Sequence, residues 1–143
     1  NIAKYSMCIW NGIHIVPYYS YEIASVDDRS IFKSCCDIVT VSEFNRNTKY
    51  INDIAESLPR DLFCYCIKSN VTGYGGSSII QPASSDDKYL INLKGGEDDY
   101  IVTHDLDIEK LRKSAIQSDK VRDASNLGPK PPGFWKNNVK ERY

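Results

Sequence analysis

Three apolar segments rich in β-branched and aromatic residues, Ile13–Tyr19, Asp37–Ser42 and Leu62–Asn70, begin 24 and 25 residues apart, with helix-type patterns between them. Strands alternating with helices build a layered α/β fold, and few other architectures accommodate that order. The middle segment, with Ile38, Val39 and Val41, reads as a strand buried on both faces. Pro17 confines its position in the first strand to an edge or a bulge. In the third, the two-residue period sends Cys64 and Cys66 to one face and Phe63, Tyr65 and Ile67 to the other. Asp27 or Asp28 is placed to cap a short helix over Arg29 to Ser34. Tyr50, Ile51, Ile54 and Leu58 fall at helical spacing within a run from Thr48 that Pro59 is expected to stop.

The second half reads as a meander. Ser78 to Gln81 forms a strand and Pro82 to Asp87 a turn. Tyr89–Leu93 and Tyr100–Val102 flank Lys94-Gly95-Gly96-Glu97-Asp98-Asp99 as a hairpin. Asp107 caps a helix from Ile108 to about Gln117, with Leu111 and Ala115 facing inward. The sum is a mixed sheet with helices. The glycine-rich stretch Val71-Thr72-Gly73-Tyr74-Gly75-Gly76-Ser77 leads into a strand and lacks the Gly-Lys-Ser/Thr ending of a phosphate cradle, so its glycines are conformational.

The charge balance is 18 basic against 19 acidic residues, which gives no polyelectrolyte signal for nucleic acid or an anionic membrane. No apolar run approaches the roughly 18–20 residues of a membrane span, and no signal segment is visible. The sequence opens on Asn1 rather than Met, as expected of a fragment, a processed product or the ordered part of something longer. Five cysteines, an odd number, argue against a disulfide framework. Neither Cys35-Cys36 nor Cys64-x-Cys66 has zinc-knuckle spacing, so no metal site is expected. Reduced cysteines packed as small apolar residues suit a cytoplasmic protein.

From Lys113 to Tyr143 there are seven basic and three acidic residues. Residues 118–143 read as an extended basic tail containing Gly128-Pro129-Lys130-Pro131-Pro132-Gly133, anchored by Phe134-Trp135 on this chain or a partner. Lys130, Lys136, Lys140 and Arg142 are where nucleic acid would touch, if it does.

In this order, the motifs resemble the C-terminal half of the carbon–nitrogen hydrolase (nitrilase) superfamily. Pro17-Tyr18-Tyr19-Ser20-Tyr21-Glu22-Ile23 is similar to the family's strand and nucleophile elbow. Arg29 falls on an arginine of the next helix, and Asp37 to Val41 on the following strand, which leads into Ser42-Glu43-Phe44-Asn45. Glu56 to Tyr65, Gly76-Ser77-Ser78-Ile79-Ile80-Gln81-Pro82 and Asp105-Leu106-Asp107 to Arg112 complete the set. A narrower resemblance, carried by Arg60-Asp61-Leu62, Cys64-Tyr65, Tyr74-Gly75, Lys94-Gly95-Gly96 and the proline-rich tail, is to the nitrilase-like domain joined to bacterial antiphage-defence reverse transcriptases.

The resemblance implies one half of an αββα sandwich, spanning residues 1–117, and hydrolysis of an amide or nitrile without a cofactor. The family uses a cysteine nucleophile, a glutamate base and a lysine that stabilises the oxyanion. A thiol or hydroxyl is mostly protonated at neutral pH and needs such a base; the tetrahedral oxyanion needs a preorganised donor. Ser20 stands at the nucleophile position, where a hydroxyl demands stronger activation than a thiol. The family's glutamate and lysine would lie upstream, so catalysis is expected only with a further N-terminal half. Glu43, Asn45 and Tyr19 are the expected substrate-facing residues, and Glu22, Arg29 and Arg60 structural groups near the site, the two arginines as ion-pair partners.

Half a sandwich would leave a sheet face open. The chain is therefore expected to pack on the N-terminal half or the polymerase domain of the same protein, and to self-associate. The competing reading is a non-catalytic oligomerisation or scaffold module with a degenerate site.

Overall fold

The computed structural model describes residues 5–83, 86–117 and 127–142. Six strands form one sheet in sequential order: β1 (Cys8–Trp10), β2 (Ile13–Tyr19), β3 (Ile38–Ser42), β4 (Tyr65–Ser69), β5 (Ser78–Ile80) and β6 (Tyr89–Asn92). The central β2–β3–β4 pairings are parallel, and the flanking pairs are antiparallel. The sheet is mixed, as the sequence pattern requires. Pro17 lies beyond the three-residue reach of β1, where the missing N–H removes no ladder bond on that side.

Helix α1 (Val26–Ser30) and helix α2 (Thr48–Leu62) follow β2 and β3. Ile51, Ala55, Leu58 and Leu62 of α2 pack with Ile23 and Phe32 onto Val16, Tyr18, Val39, Val41, Cys64, Cys66 and Ile80. The opposite face carries Ile38 and Tyr65, which with Phe63 pack on Leu111 and Ala115 of α3 (Ile108–Ile116) and Val139 of α4 (Lys136–Arg142). Cys64 and Cys66 thus face one core and Phe63, Tyr65 and Ile67 the other, as their alternation predicts. Asp107 caps α3 by accepting the Lys110 N–H at 2.8 Å.

A buried carboxylate ties these layers together. Asp37 accepts from Arg112 Nε at 3.0 Å and Nη2 at 2.7 Å, and from the His14 N–H at 2.9 Å. Arg142 Nη2 stands 3.5 Å away. Burial alone would raise the Asp37 carboxyl; the Arg112 hydrogen bonds, the His14 N–H and the two guanidinium charges together outweigh it and hold it below the ordinary range.

Several expectations are corrected. Ser25, not Asp27 or Asp28, caps α1, its hydroxyl accepting from the Asp28 N–H at 3.3 Å. The two aspartates lie in the first turn, where the helix dipole favours them. Pro59 does not stop α2, which runs on to Leu62. The Pro59 carbonyl accepts from both Phe63 and Cys64, and Phe63 ends the helix in the left-handed region at φ 57°. Burial of Leu58, Pro59 and Leu62 offsets the hydrogen bond proline removes. The third strand accordingly begins at Tyr65 rather than Leu62.

Tyr100–Val102 forms no strand. The preceding loop is tied instead to the loop after β4: Thr72 donates to Asp99 at 2.9 Å and the Gly96 N–H donates to the Thr72 carbonyl at 3.2 Å. These bonds take the chain away from the edge of β6. The turn expected over Pro82 to Asp87 lies partly outside the described residues, as does much of the expected tail. Within that tail, α4 is helical rather than extended. Phe134 stacks edge-on against Phe63 at 5.6 Å, Val139 is buried, and Trp135 stays exposed.

At Gly95 the backbone has φ +92°, and a Cβ would stand 2.6 Å from the Thr72 carbonyl oxygen. Gly95→Ala is expected to cost about 1–3 kcal/mol. Gly73→Ala, where a Cβ meets open space, should stay within about 0.5 kcal/mol. Paired thermal melts check the contrast.

Candidate active site

Tyr19 pairs with Ser42 and Ser42 with Ser69, so the three parallel strands end level. The C-terminal edge of parallel strands is where α/β proteins place ligands. The next residues, Ser20, Glu43 and Asn70, are all buried at this edge.

Ser20 opens a 3-10 turn over Ser20–Ala24 and has φ 43°. A side chain with a Cβ in that region is strained by about 1–3 kcal/mol and persists only where its surroundings impose it. Glu22 supplies part of that constraint, its Oε2 accepting the Tyr19 N–H at 2.6 Å. Burial of Ile23 supplies more. The result is a sharp strand-to-helix elbow, a backbone shape that presents a nucleophile.

One strand over, the Glu43 and Lys68 side chains are 0 % and 1 % exposed, with Nζ and Oε2 3.7 Å apart. Lys68 also donates to Asn52 Oδ1 of α2. Neither Glu43 carboxylate oxygen has a hydrogen-bond partner among the described residues, nor has Ser78 Oγ. Ser78 pairs with Lys68 across β4–β5 and so shares its face. Burial pushes the Glu43 carboxyl up against the pull of the Lys68 charge. Burial likewise pulls the Lys68 ammonium down against the pull of Glu43. Gly76 leaves room for this ammonium, since a Cβ there would lie 3.2 Å from Nζ.

Asn70 joins the neighbouring loops. It accepts from the Asn45 N–H at 3.1 Å and donates to the Asn45 and Gly75 carbonyls at 3.0 and 2.9 Å. Arg46 donates to Tyr74 Oη at 3.0 Å, and Phe44 meets the Tyr74 ring at 5.6 Å. On the other face, a cleft of about 420 Å³ is lined by Ile67, Ser69, Ile79, Ile91, Tyr100 and Val102, among others.

No family model matches the sequence, and no curated protein does. Solved structures do match in fold. One is XC1258 from Xanthomonas campestris, a CN-hydrolase superfamily protein with an arsenic adduct in its active site. It aligns with TM-score 0.56 and 12% identity, over 67% of this chain and 42% of that one. Another is an amidase from Nesterenkonia sp. AN1 bearing the product of Michael addition of acrylamide at its active-site cysteine. That comparison gives TM-score 0.52 and 15% identity, over 67% of this chain and 41% of that one. This is the carbon–nitrogen hydrolase fold. The chain spans about 42% of the length of the first of these neighbours.

On that fold, Ser20 and Glu22 sit in the elbow itself. Tyr19 is 64 % exposed, on the face opposite Tyr18. Glu43 is enclosed with Lys68. The Asn45 side chain accepts the Asn47 N–H at 2.9 Å and so shapes the loop. Arg60 pairs with Asp61 at 3.6 Å on the surface, whereas Arg29 makes no ion pair among the described residues. Buried Cys64 and Cys66 have thiols pushed up by loss of solvation, Cys66 to about 12, which keeps them protonated and unreactive.

Sequence reasoning missed Lys68. The signal was its two-residue spacing from Cys64 and Cys66, which puts an ammonium on a core-facing position and demands a counter-charge. Among the described residues no helix is long and apolar enough to cross a membrane.

Proposed function

We propose that this chain is part of a carbon–nitrogen hydrolase-like domain in which Ser20 takes the nucleophile's place and an amide or nitrile carbon is attacked. The observation that carries this reading is the left-handed φ of Ser20 at the end of a parallel strand, within a fold shared with an amidase. The second sheet of the sandwich, with its share of the substrate pocket, is supplied by other polypeptide, either the same protein or a second copy. The cleft on the face away from α2 is where that sheet would lie. The motifs Arg60-Asp61-Leu62, Cys64-Tyr65 and Lys94-Gly95-Gly96 support placement beside a reverse transcriptase of bacterial antiphage defence, acting in the cytoplasm.

A second reading is a non-catalytic assembly module. It is favoured by the hydroxyl at position 20 and by exposed Trp10 and Ile101, the latter 95 % accessible.

The test uses the full-length protein and its Ser20→Ala variant, assayed for ammonia release from small aliphatic amides and for protection of bacteria against phage. Loss of both in the variant supports the hydrolase. Protection that survives Ser20→Ala, with no ammonia release from either protein, supports the assembly module.

A further inference from the structure

At one margin of the sheet stands β1, with no described strand beyond it. An open edge invites another chain, and proteins guard it with charge or proline. The other margin has such charges, since β6 is bracketed by Asp87-Lys88 and Lys94. From Tyr5 to Ile13 there is no charged residue and no proline. Ile9 and Trp10 are 60 % and 61 % exposed, and Cys8 is exposed as well.

The register fixes what this edge offers. Asn11 and Gly12, at φ 47° and 76°, form the two-residue turn of the β1–β2 hairpin. Trp10 and Ile13 flank the turn and exchange hydrogen bonds, as do Cys8 and Ile15 two steps on. His14, between them, faces β3 instead. Its N–H donates to Asp37 Oδ2 at 2.9 Å, and its carbonyl accepts the Asp37 N–H at 2.9 Å. Ile9 lies opposite His14, so it points its own N–H and C=O to the open edge.

Those two groups belong to the middle residue of a three-residue strand. An antiparallel copy of the same strand satisfies both at once, about a two-fold axis at Ile9. The side chains agree with this pairing. Cys8, Ile15, Ile38 and Tyr65 lie level across four strands, and the last three belong to the core beneath α3 and α4. The row ends in the open at Cys8. Trp10 and Ile13 of a second copy continue it, with apolar side chains throughout. The chain entering β1 leaves the edge clear, because the Tyr5 ring lies 5.4 Å from that of Tyr18 and Met7 packs on the α2-side core.

We propose that β1 is a homodimer edge, at which two copies of this chain pair antiparallel about Ile9 and join their sheets into one. The inference rests on neither reading of Ser20.

Trp10→Cys sets a thiol opposite Cys8 of the second copy. The two positions form a non-hydrogen-bonded pair with Cα atoms about 4.5 Å apart, a separation that a disulfide spans. Full-length Trp10→Cys is oxidised with copper phenanthroline and run on a non-reducing gel, and the disulfide in the dimer band is mapped by peptide mass spectrometry. Expected is a link from position 8 of one copy to position 10 of the other. Adding Ile9→Lys should abolish the link, because two like charges would meet at the axis. In the full-length protein with Trp10 intact, Ile9→Lys should halve the mass of the assembly in mass photometry. Hydrogen exchange in β2 and α2 checks that each variant is folded. If Ile9→Lys loses protection there, Ile9→Pro, which deletes the outward N–H without adding charge, replaces it in both measurements. Absence of the link, a link that survives the substitution at Ile9, or an assembly mass unchanged by it overturns the proposal.

Discussion

Asp37→Ala is expected to cost about 3–5 kcal/mol, because it leaves two guanidinium groups facing a site built for a negative charge. Arg112 and Arg142 side chains are 13 % and 8 % exposed, so water cannot replace the lost carboxylate fully. The damage should be local in kind. The carboxylate binds α3 through Arg112, α4 through Arg142 and the start of β2 through the His14 N–H. Hydrogen exchange should therefore accelerate most in α3 and α4, while α2, which packs on the other core, keeps more of its protection. Uniform acceleration would show that the two cores are not separable. The same group sets an acid limit. Its folded carboxyl titrates below the unfolded value of about 3.9. The stability it contributes is complete above that value and is lost as the pH falls through the folded one. A denaturation series from pH 6 to about 2 should show this loss in the parent and its absence in Asp37→Ala.

The second large effect has opposite signs in single and double variants. Glu43→Leu strands a buried ammonium that still donates to Asn52, and Lys68→Met strands a buried carboxylate with no hydrogen-bond donor among the described residues. Each is expected to destabilise by about 3–5 kcal/mol. The double variant Glu43→Leu/Lys68→Met removes both charges and their desolvation cost together. It should match the parent or exceed it by about 1–4 kcal/mol. A denaturant double-mutant cycle measures the coupling directly. A double variant as damaged as either single one would mean that a further polar group depends on the pair, with buried Ser78 the first to examine.

The legible parts of the sequence were those governed by short-range periodicity. The parallel strands β2 and β3, the opposite facing of Cys64 and Tyr65, and the cap at Asp107 all follow from rules that act within a few residues. The elbow at Ser20 was legible only through the ordered motifs around it; nothing in Tyr19-Ser20-Tyr21 by itself demands a left-handed serine. What escaped was decided by distant partners. Pro59 terminates an isolated helix but not one whose last turn is pinned to a sheet by Leu58 and Leu62. Tyr100–Val102 has strand composition, yet Asp99 is held by Thr72. Lys68 escaped notice because its counter-charge, Glu43, follows a different strand, and α4 looked like tail because its buried face is a single valine.

Asp37 also has a consequence for how the chain is made. Its guanidinium partner Arg112 lies 75 residues later in the sequence. At about 5–20 residues per second of synthesis, that carboxylate waits about 4–15 s for its first countercharge, and longer for Arg142. The α2-side core can close during this interval, since its buried residues run no further than Ile80 and the last residue packed against it is Tyr89. The face beneath α3 and α4 cannot. Assembly is thus timed by translation: one side of the sheet is sealed early, and the other stays open to whatever is to be laid against it until the last helix arrives.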